Sequence, residues 1–387
     1  MTEVLDPQLA FARVSAEEVL APKDIPEFPT AHWDGYAVIS EDLAGAGKDP
    51  VSLRVVGAAG PGTRAEIAIT RGEAYQVATG AGLPSGADSV VPKESVEVRG
   101  DMVIVKESLR PGSHVYRKGE DLRKGEILLR KGRVIRAQDV GELIAAGYRH
   151  IKVWRKPKVS VLATGSELVD ASRPKGGRVV NSHSPVFMRL CEALGCIPVD
   201  MGIAKDDRAE ITAMLRRALA KSDFVLTLGG TSLGDRDYIT EAVGAMRPEV
   251  LVHRLKMDRG RVAGIAVVRG KAIVMMPGPI QGAMNAFVLL AVPIIEALSG
   301  TEERQSEILC TFRGEWKARS GYECFRKVVY VRVDRAAEMT ASPLLAETES
   351  MRVLTEADGF IVVPENVTKL EAGERVAVRL VPGFSFA

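Results

Sequence analysis

The chain has 387 residues, with 52 Lys and Arg against 50 Asp and Glu, so that its formal net charge is +2. Such a balance lacks the basic excess of a protein that grips nucleic acid by its backbone. With 46% hydrophobic and 26% charged residues the chain is too apolar for disorder, and at about 150 residues per domain its length implies two or three domains, or more if some are small.

The N-terminus, MTEVLDPQLA, carries acidic residues and no basic-then-apolar pattern, so no secretory signal is expected and a cytoplasmic location is. Leu9–Leu20 and Ala137–Ala146 read as two parts of one helical element, split by an insertion. That insertion, from 49 to 130, is a small β module without helical periodicity, as in Ser95–Val98 and Met102–Val105 around the turn Arg99–Gly100–Asp101. From Lys158 to Leu298 strands and helices alternate. Val159–Ala163 is a strand; Ser184–Pro185 opens a helix in which Phe187, Leu190, Cys191 and Leu194 recur at helical spacing. Ile197–Met201 is the next strand, and Asp207 with Glu210 three residues on opens a helix carrying Ile211, Met214, Leu215 and Ala218. Phe224–Leu228 is a third strand, followed by a hairpin at Arg269–Gly270 and a helix over Gln281–Leu298. The spacing is that of βαβ units, hence a doubly wound, largely parallel sheet with helices on both faces. The longest apolar run, Ala286–Ile295, is too short to cross a bilayer and contains Pro293, so no membrane association is expected. After Gly300 the pattern returns to β, in Glu307–Phe312, Lys327–Val333, Phe360–Val363 and Arg375–Val381, which reads as a compact barrel. The fold class is therefore α/β plus β in a multidomain chain.

Several strand ends combine a glycine turn with hydroxyl or acidic residues: Thr79–Gly80–Ala81, Thr164–Gly165–Ser166–Glu167, and Gly229–Gly230–Thr231–Ser232 through Gly234 to Asp237. In open α/β sheets ligands sit outside the carboxyl ends of strands, where glycine lets backbone N–H groups approach an anion. Gly229–Gly234 therefore reads as a phosphate cradle, although it matches neither the dinucleotide GxGxxG nor the P-loop pattern. Glu167, Asp206, Asp207, Asp235 and Asp237 cluster at the same ends, and carboxylates beside phosphates suit Mg²⁺. Asp207 fits equally as a helix cap, which leaves Asp206 freer for chemistry, and Asp237 is favoured over Asp235. The five His residues lack metal spacing, and Cys191, Cys196, Cys310 and Cys324 form no CxxC pair. Asp34–Gly35 and Arg117–Asp121 look like turns when taken alone.

Together these segments resemble the molybdopterin molybdenumtransferase family, which includes MoeA and the E domain of gephyrin. Asp34–Val38 matches its DGYAV segment, and Thr79–Ala81 through Gly86–Asp88 to Val91 matches TGAxLPxGADxVV. Gly119–Asp121 and Gly125–Glu126 match the GEDxxxGE of RxxGEDxxxGE, with Arg117 one position nearer than its arginine, while Thr164–Leu168 matches TGDEL with Ser166 in place of Asp. Asp206–Asp207 fall on an Asp-Asp pair, and Gly229–Tyr238 matches GGVSVGxxDY. The resemblance implies four parts: an elongated linker and dimerisation domain over 1–48 and 131–157, the β module over 49–130, a MogA-like α/β domain over 158–300, and a β-barrel over 301–387. It implies a homodimer whose cleft lies between the α/β and C-terminal domains of one subunit and the β module of the other. The implied reaction is Mg²⁺-dependent insertion of molybdate or tungstate into adenylylated molybdopterin with release of AMP, the pterin coming from a MogA-like adenylyltransferase. Position by position, the implied catalytic residues are Asp34, Thr79, Asp121, Glu167, Asp206 and Asp237, with Glu167, Asp206 and Asp237 as metal ligands. Thr164, Gly165, Ser166, Gly229, Gly230, Thr231, Ser232, Gly234, Pro277 and Gly278 are the implied substrate-binding set.

The chain departs from the family pattern at Trp33, at Arg259–Gly260–Arg261–Val262 in place of PGKP, at Pro277–Gly278–Pro279–Ile280 in place of PGNP, and at His183. The alternative is a scaffold paralogue that binds molybdopterin without inserting metal. A different nucleotide-phosphate hydrolase is the third reading, opposed by the segments outside the α/β domain.

Overall fold

A computed structural model describes the whole chain except residues 171, 173, 175, 232–236, 303–306, 319–325, 335–337, 346–349 and 382–387. The N-terminal region is a nested antiparallel ladder. Thr2–Leu5 pairs with Ile151–Trp154, Val19–Leu20 with Ile127–Leu129, and Thr30–Ala31 with Val115–Tyr116. The chain thus runs out along one side and returns along the other, with the helix Ala137–Ala145 packed on the return. The helix expected over Leu9–Leu20 does not form. Pro7–Leu9 is a single 3₁₀ turn capped by Asp6, and beyond it the N–H groups of Ala12, Ser15 and Ala16 bond to carbonyls of Ile135, Arg133 and Lys152. Its apolar residues do not share one buried face: Ala10 is buried, whereas Leu9 and Phe11 are exposed.

Between the two sides lies a 6-stranded sheet in the order Ser89–Pro92, Gly35–Val38, Glu73–Val77, Val51–Ala59, Met102–Val105, Val96–Arg99. Gly35–Val38 stands inside this sheet, because its small residues let neighbours approach on both sides; a Cβ at Gly35 would lie 2.0 Å from the Val91 carbonyl oxygen. The boundary expected between 48 and 49 therefore falls within a sheet, and the one at 130 separates Ile127–Leu129 from the ladder it joins.

The α/β region has a 6-stranded sheet in the order Ile197–Ala204, Lys158–Thr164, Phe224–Leu228, Lys271–Met276, Gly264–Val268, Val250–His253. The first four strands are parallel and the last two join antiparallel at one edge. Alternation sorts its side chains onto two cores. Val159, Val161, Phe224, Leu226, Val274 and Met276 face the helices His183–Ala193 and Ile280–Ser299. Leu162, Val225, Ile273 and Met275 face Arg208–Lys221 and Tyr238–Gly244 on the other side.

The helix Ile280–Ser299 is continuous and, by length and composition alone, would suffice to span a membrane, contrary to the expectation from the shorter apolar run. It is a core helix. Ile280, Ala283, Phe287, Ala291 and Ile295 are buried against the sheet, and Val328, Tyr330 and Phe360 of the barrel join the same core. Pro293 has no N–H to offer, and the preceding turn Phe287–Ala291 widens so that Val292 N–H bonds five residues back to Phe287. The barrel closes through Glu307–Phe312, Thr340–Pro343, Arg326–Asp334, Gly359–Pro364 and Arg375–Leu380.

Candidate active site

The parallel strands Lys158–Thr164, Phe224–Leu228 and Lys271–Met276 end side by side, and their loops surround an open cleft of about 460 Å³. Thr164, Gly165, Glu167, Asp206, Gly229, Gly230, Thr231 and Gly278 line it, together with His183, Asn181 and Tyr238. A small flap forms one wall, where Leu168–Val169 pairs with Val179–Val180. The glycines are fixed by crowding between strand ends. Gly229 (φ +84) and Gly230 (φ +68) are left-handed, and a Cβ there would lie 2.6 Å from the Thr164 carbonyl and 2.4 Å from Thr164 Oγ1, respectively.

An inventory of N–H groups revises the cradle. Gly165 N–H donates to the Ala204 carbonyl at 3.0 Å and Gly229 N–H to the Met276 carbonyl at 3.1 Å, so neither is open to a phosphate. Ser166 N–H donates to Asp206 Oδ2 at 2.9 Å. What remains is Gly230 N–H, Thr231 N–H and the buried Thr231 Oγ1, none of which has a partner among the described residues. Gly278 also lines the cleft, whereas Pro277 is buried beneath it against Gly282. Ser232, Gly234 and Asp235 lie outside the described residues.

Among the described residues, two carboxylates reach the cleft. Asp206 is held reciprocally, receiving Ser166 N–H while its own N–H donates to Ser166 Oγ at 3.0 Å. Glu167 folds over Gly165, and its carboxylate accepts no hydrogen bond from a described residue. Asp207 is the helix cap, accepting Glu210 N–H at 2.7 Å.

Asp237 does not join them. Its Oδ1 accepts Thr240 N–H at 3.0 Å as the cap of Tyr238–Gly244. Its Oδ2 lies 3.2 Å from His253 Nε2, an N–H that also faces the Val262 carbonyl at 3.1 Å, so the oxygen lacks a well-aligned hydrogen bond. Among the described residues no group of three or more His, Cys, Asp or Glu could hold a metal ion, so the expected triad of Glu167, Asp206 and Asp237 is not assembled.

The N-terminal candidates sit elsewhere. Asp34 Oδ1 accepts both Thr79 N–H and Thr79 Oγ1–H at 2.8 Å, and Lys93 Nζ stands 3.3 Å from Oδ2. The two Thr79 hydrogen bonds, and then Lys93, hold the Asp34 carboxyl below its ordinary range. Beside it Trp33 is 50% exposed, and the His32 and Tyr116 rings stand 4.4 Å apart. Asp121 belongs to the ladder, where its N–H donates to the Ile25 carbonyl. None of Asp34, Thr79 or Asp121 lines the cleft of its own chain.

Sequence reasoning missed Lys93 and Arg178, and noted His183 only as a departure from the family pattern. Lys93 follows the matched VV pair by two residues, which was the signal available. Arg178 Nη1 donates to the Ser166 carbonyl at 2.7 Å and ties the flap to the strand-end loop. His183 donates to the Gly278 carbonyl, and burial outweighs that bond to push its pKa down, favouring the neutral ring. Cys191, Cys196 and Cys310 are buried free thiols; burial raises all three, Cys196 to about 12.

Family models match in three blocks: the MoeA N-terminal region (domain I and II) over residues 2–147, a probable molybdopterin binding domain over 160–297, and the MoeA C-terminal region (domain IV) over 311–381. The chain is 29% identical over 373 residues to a molybdopterin molybdenumtransferase of Staphylococcus aureus (strain COL), covering 95% of this chain and 88% of that protein. A protein of the same name from Staphylococcus epidermidis (strain ATCC 12228 / FDA PCI 1200) is 29% identical over 387 residues, covering 97% and 90%. Among solved structures, the molybdopterin biosynthesis moea protein from Pyrococcus horikosii superposes with a TM-score of 0.85 at 30% identity, covering 99% of this chain and 95% of that one. A second, the moeA protein from Pyrococcus horikoshii OT3, gives 0.82 at 27% identity, covering 98% and 94%.

Proposed function

Since the chain belongs to the MoeA family of molybdenum cofactor biosynthesis, we propose that it is a molybdopterin molybdenumtransferase that takes adenylylated molybdopterin and molybdate or tungstate and releases AMP. The observation that carries this is the pair of carboxylates, Glu167 and Asp206, facing free N–H groups of Gly230 and Thr231 across one cleft. Mg²⁺ takes one or two carboxylates and fills its shell with phosphate oxygens and water, so this donor set fits it without a third acid. Glu167 and Asp206 would hold the ion, which when bound would supply positive charge against the pyrophosphate oxygens.

This chain's own groups do the rest. Gly230 N–H, Thr231 N–H and Thr231 Oγ1–H bind phosphate oxygens in a site where no acceptor among the described residues competes for them. Neutral His183, oriented by Gly278, places an uncharged ring beside the cleft floor. The Asp34–Thr79 pair acts from the β module of a second subunit, which explains why one chain does not bring it to its own cleft. Exposed Val4, Leu9 and Phe11 on the N-terminal ladder suit a contact between two subunits of a homodimer. A MogA-like adenylyltransferase would supply the pterin.

The test is incubation with adenylylated molybdopterin, Mg²⁺ and either oxyanion, following AMP. AMP release that requires the oxyanion is expected. Tight pterin binding with no AMP from either oxyanion would replace this reading with a scaffold role.

A further inference from the structure

At the opposite end of the α/β sheet from the cleft lies a second concavity of about 450 Å³. It opens where the helices Arg208–Lys221 and Tyr238–Gly244 end, beside the hairpin joining Gly264–Val268 to Lys271–Met276. Its floor is apolar, with Leu219 and Val268 buried and Met246 half-buried. Its charged lining consists of Arg216, Arg247, Arg269 and Lys271, with no acidic residue among them.

These cations divide by what they already do. Lys271 Nζ donates to the Leu219 and Ser222 carbonyls at 2.6 and 2.8 Å, so it stops the end of a helix. The guanidinium groups of Arg216, Arg247 and Arg269 make no hydrogen bond or ion pair among the described residues. Glu249 lies nearby, but its carboxylate accepts the N–H groups of Arg269 and Gly270 and does not line the concavity.

Backbone conformation sets two of these arginines apart. Arg247 (φ 54) follows a helix end and Arg269 (φ 52) precedes Gly270 (φ 70) in a two-residue hairpin turn. Both places favour Gly or Asn, and a long side chain there is strained. Strained residues persist where surroundings or use require them, and here both aim unpaired guanidinium groups at one cavity.

We propose that this concavity binds a phosphorylated small molecule with a flat or apolar body, its phosphate held by Arg216, Arg247 and Arg269 and its body resting on Leu219, Met246 and Val268. A concave, apolar-floored site favours such a ligand over an acidic protein segment, which would need an extended surface. The site is independent of the transferase cleft.

The probes are AMP and inorganic phosphate on the full chain. Arginine modification by phenylglyoxal, mapped by mass spectrometry, is expected to be suppressed by AMP at Arg216 and Arg269. Calorimetry is expected to resolve an AMP site besides the one in the transferase cleft, and binding at that second site is expected to weaken about tenfold or more in an Arg216→Ser/Arg269→Asn double variant, with AMP release from the pterin substrate unchanged. Because Asn suits the turn, the Arg269→Asn single variant is expected to melt no lower than the parent. Failure of AMP to protect either arginine overturns the proposal, as does unchanged affinity in the double variant. Protection by a poly-glutamate peptide alone would reassign the surface to a protein partner. Phosphate binding as tightly as AMP would remove the role given to the apolar floor.

Discussion

Asp206 and Asp207 are neighbours with the same functional group and opposite assignments. Asp206 faces the cleft with one oxygen fixed by Ser166, whereas Asp207 caps a helix. Asp206→Asn is expected to cut turnover about a hundredfold with little change in melting, since it removes a charge poised for the reaction. Asp207→Ala is expected to lose about 1 kcal/mol of stability and keep near-normal turnover. Steady-state AMP release and urea denaturation separate the two; swapped results would place the site wrongly.

His183 supplies a pH signature. Its folded pKa lies below the ordinary value because burial disfavours the charged ring. The unfolded chain therefore binds the extra proton first, and the stability tied to the neutral ring is lost as pH falls from about 6.5 toward the lower folded value. His183→Gln is expected to flatten the pH dependence of stability in that window, measured by urea midpoints. An identical slope in the variant would show that another group causes it.

At the scale of elements, the strand-end glycines connect packing to chemistry. Gly230→Ala adds a methyl to a left-handed residue already 2.4 Å from Thr164 Oγ1 at the Cβ position. It is expected to cost about 1–3 kcal/mol in backbone strain, before the clash is counted. Adding Thr164→Ala removes the shortest contact but leaves Ile239 Cγ1 at 2.8 Å and the φ of Gly230, so the double variant should recover part of the loss. Full recovery in equilibrium unfolding would show that backbone strain contributes nothing.

The same elements show what the sequence could reveal. Strands such as Lys158–Thr164 were legible because alternation divides their side chains between two cores, and helices such as Arg208–Lys221 because caps and spacing agree. Leu9–Leu20 misled because apolar spacing without a partner surface does not make a helix; its N–H groups found the returning strand instead. The cradle was half legible. Glycines at strand ends can be read locally, but whether Gly165 and Gly229 still offer an N–H depends on Ala204 and Met276, which other strands bring. The position of Asp237 likewise rests on His253, at the far edge of the sheet.

For the whole molecule, the candidate residues fall into two groups that one chain does not bring together: Asp34 with Thr79, and Glu167 with Asp206. If each working site draws one group from each subunit, mixing Asp34→Asn with Glu167→Gln subunits leaves one intact site in every mixed dimer. Random mixing of two inactive variants should restore about a quarter of wild-type AMP release. No recovery, with mixed dimers shown by native mass spectrometry, would place all the groups in one subunit's site.

The nested ladder bears on how the chain reaches this state. Its outermost rung, Thr2–Leu5 with Ile151–Trp154, closes a loop of roughly 150 residues, the kind of contact that chain entropy makes slow to find at random. Each inner rung shortens that search. With the sheet from Gly35 to Val105 in place, Thr30–Ala31 would lie close to Val115–Tyr116, that rung would bring Val19–Leu20 near Ile127–Leu129, and Thr2–Leu5 would be left with the shortest remaining search. On this topology the ladder is expected to close like a zipper drawn from the inside outward, with the Thr2–Leu5 rung among the last to form.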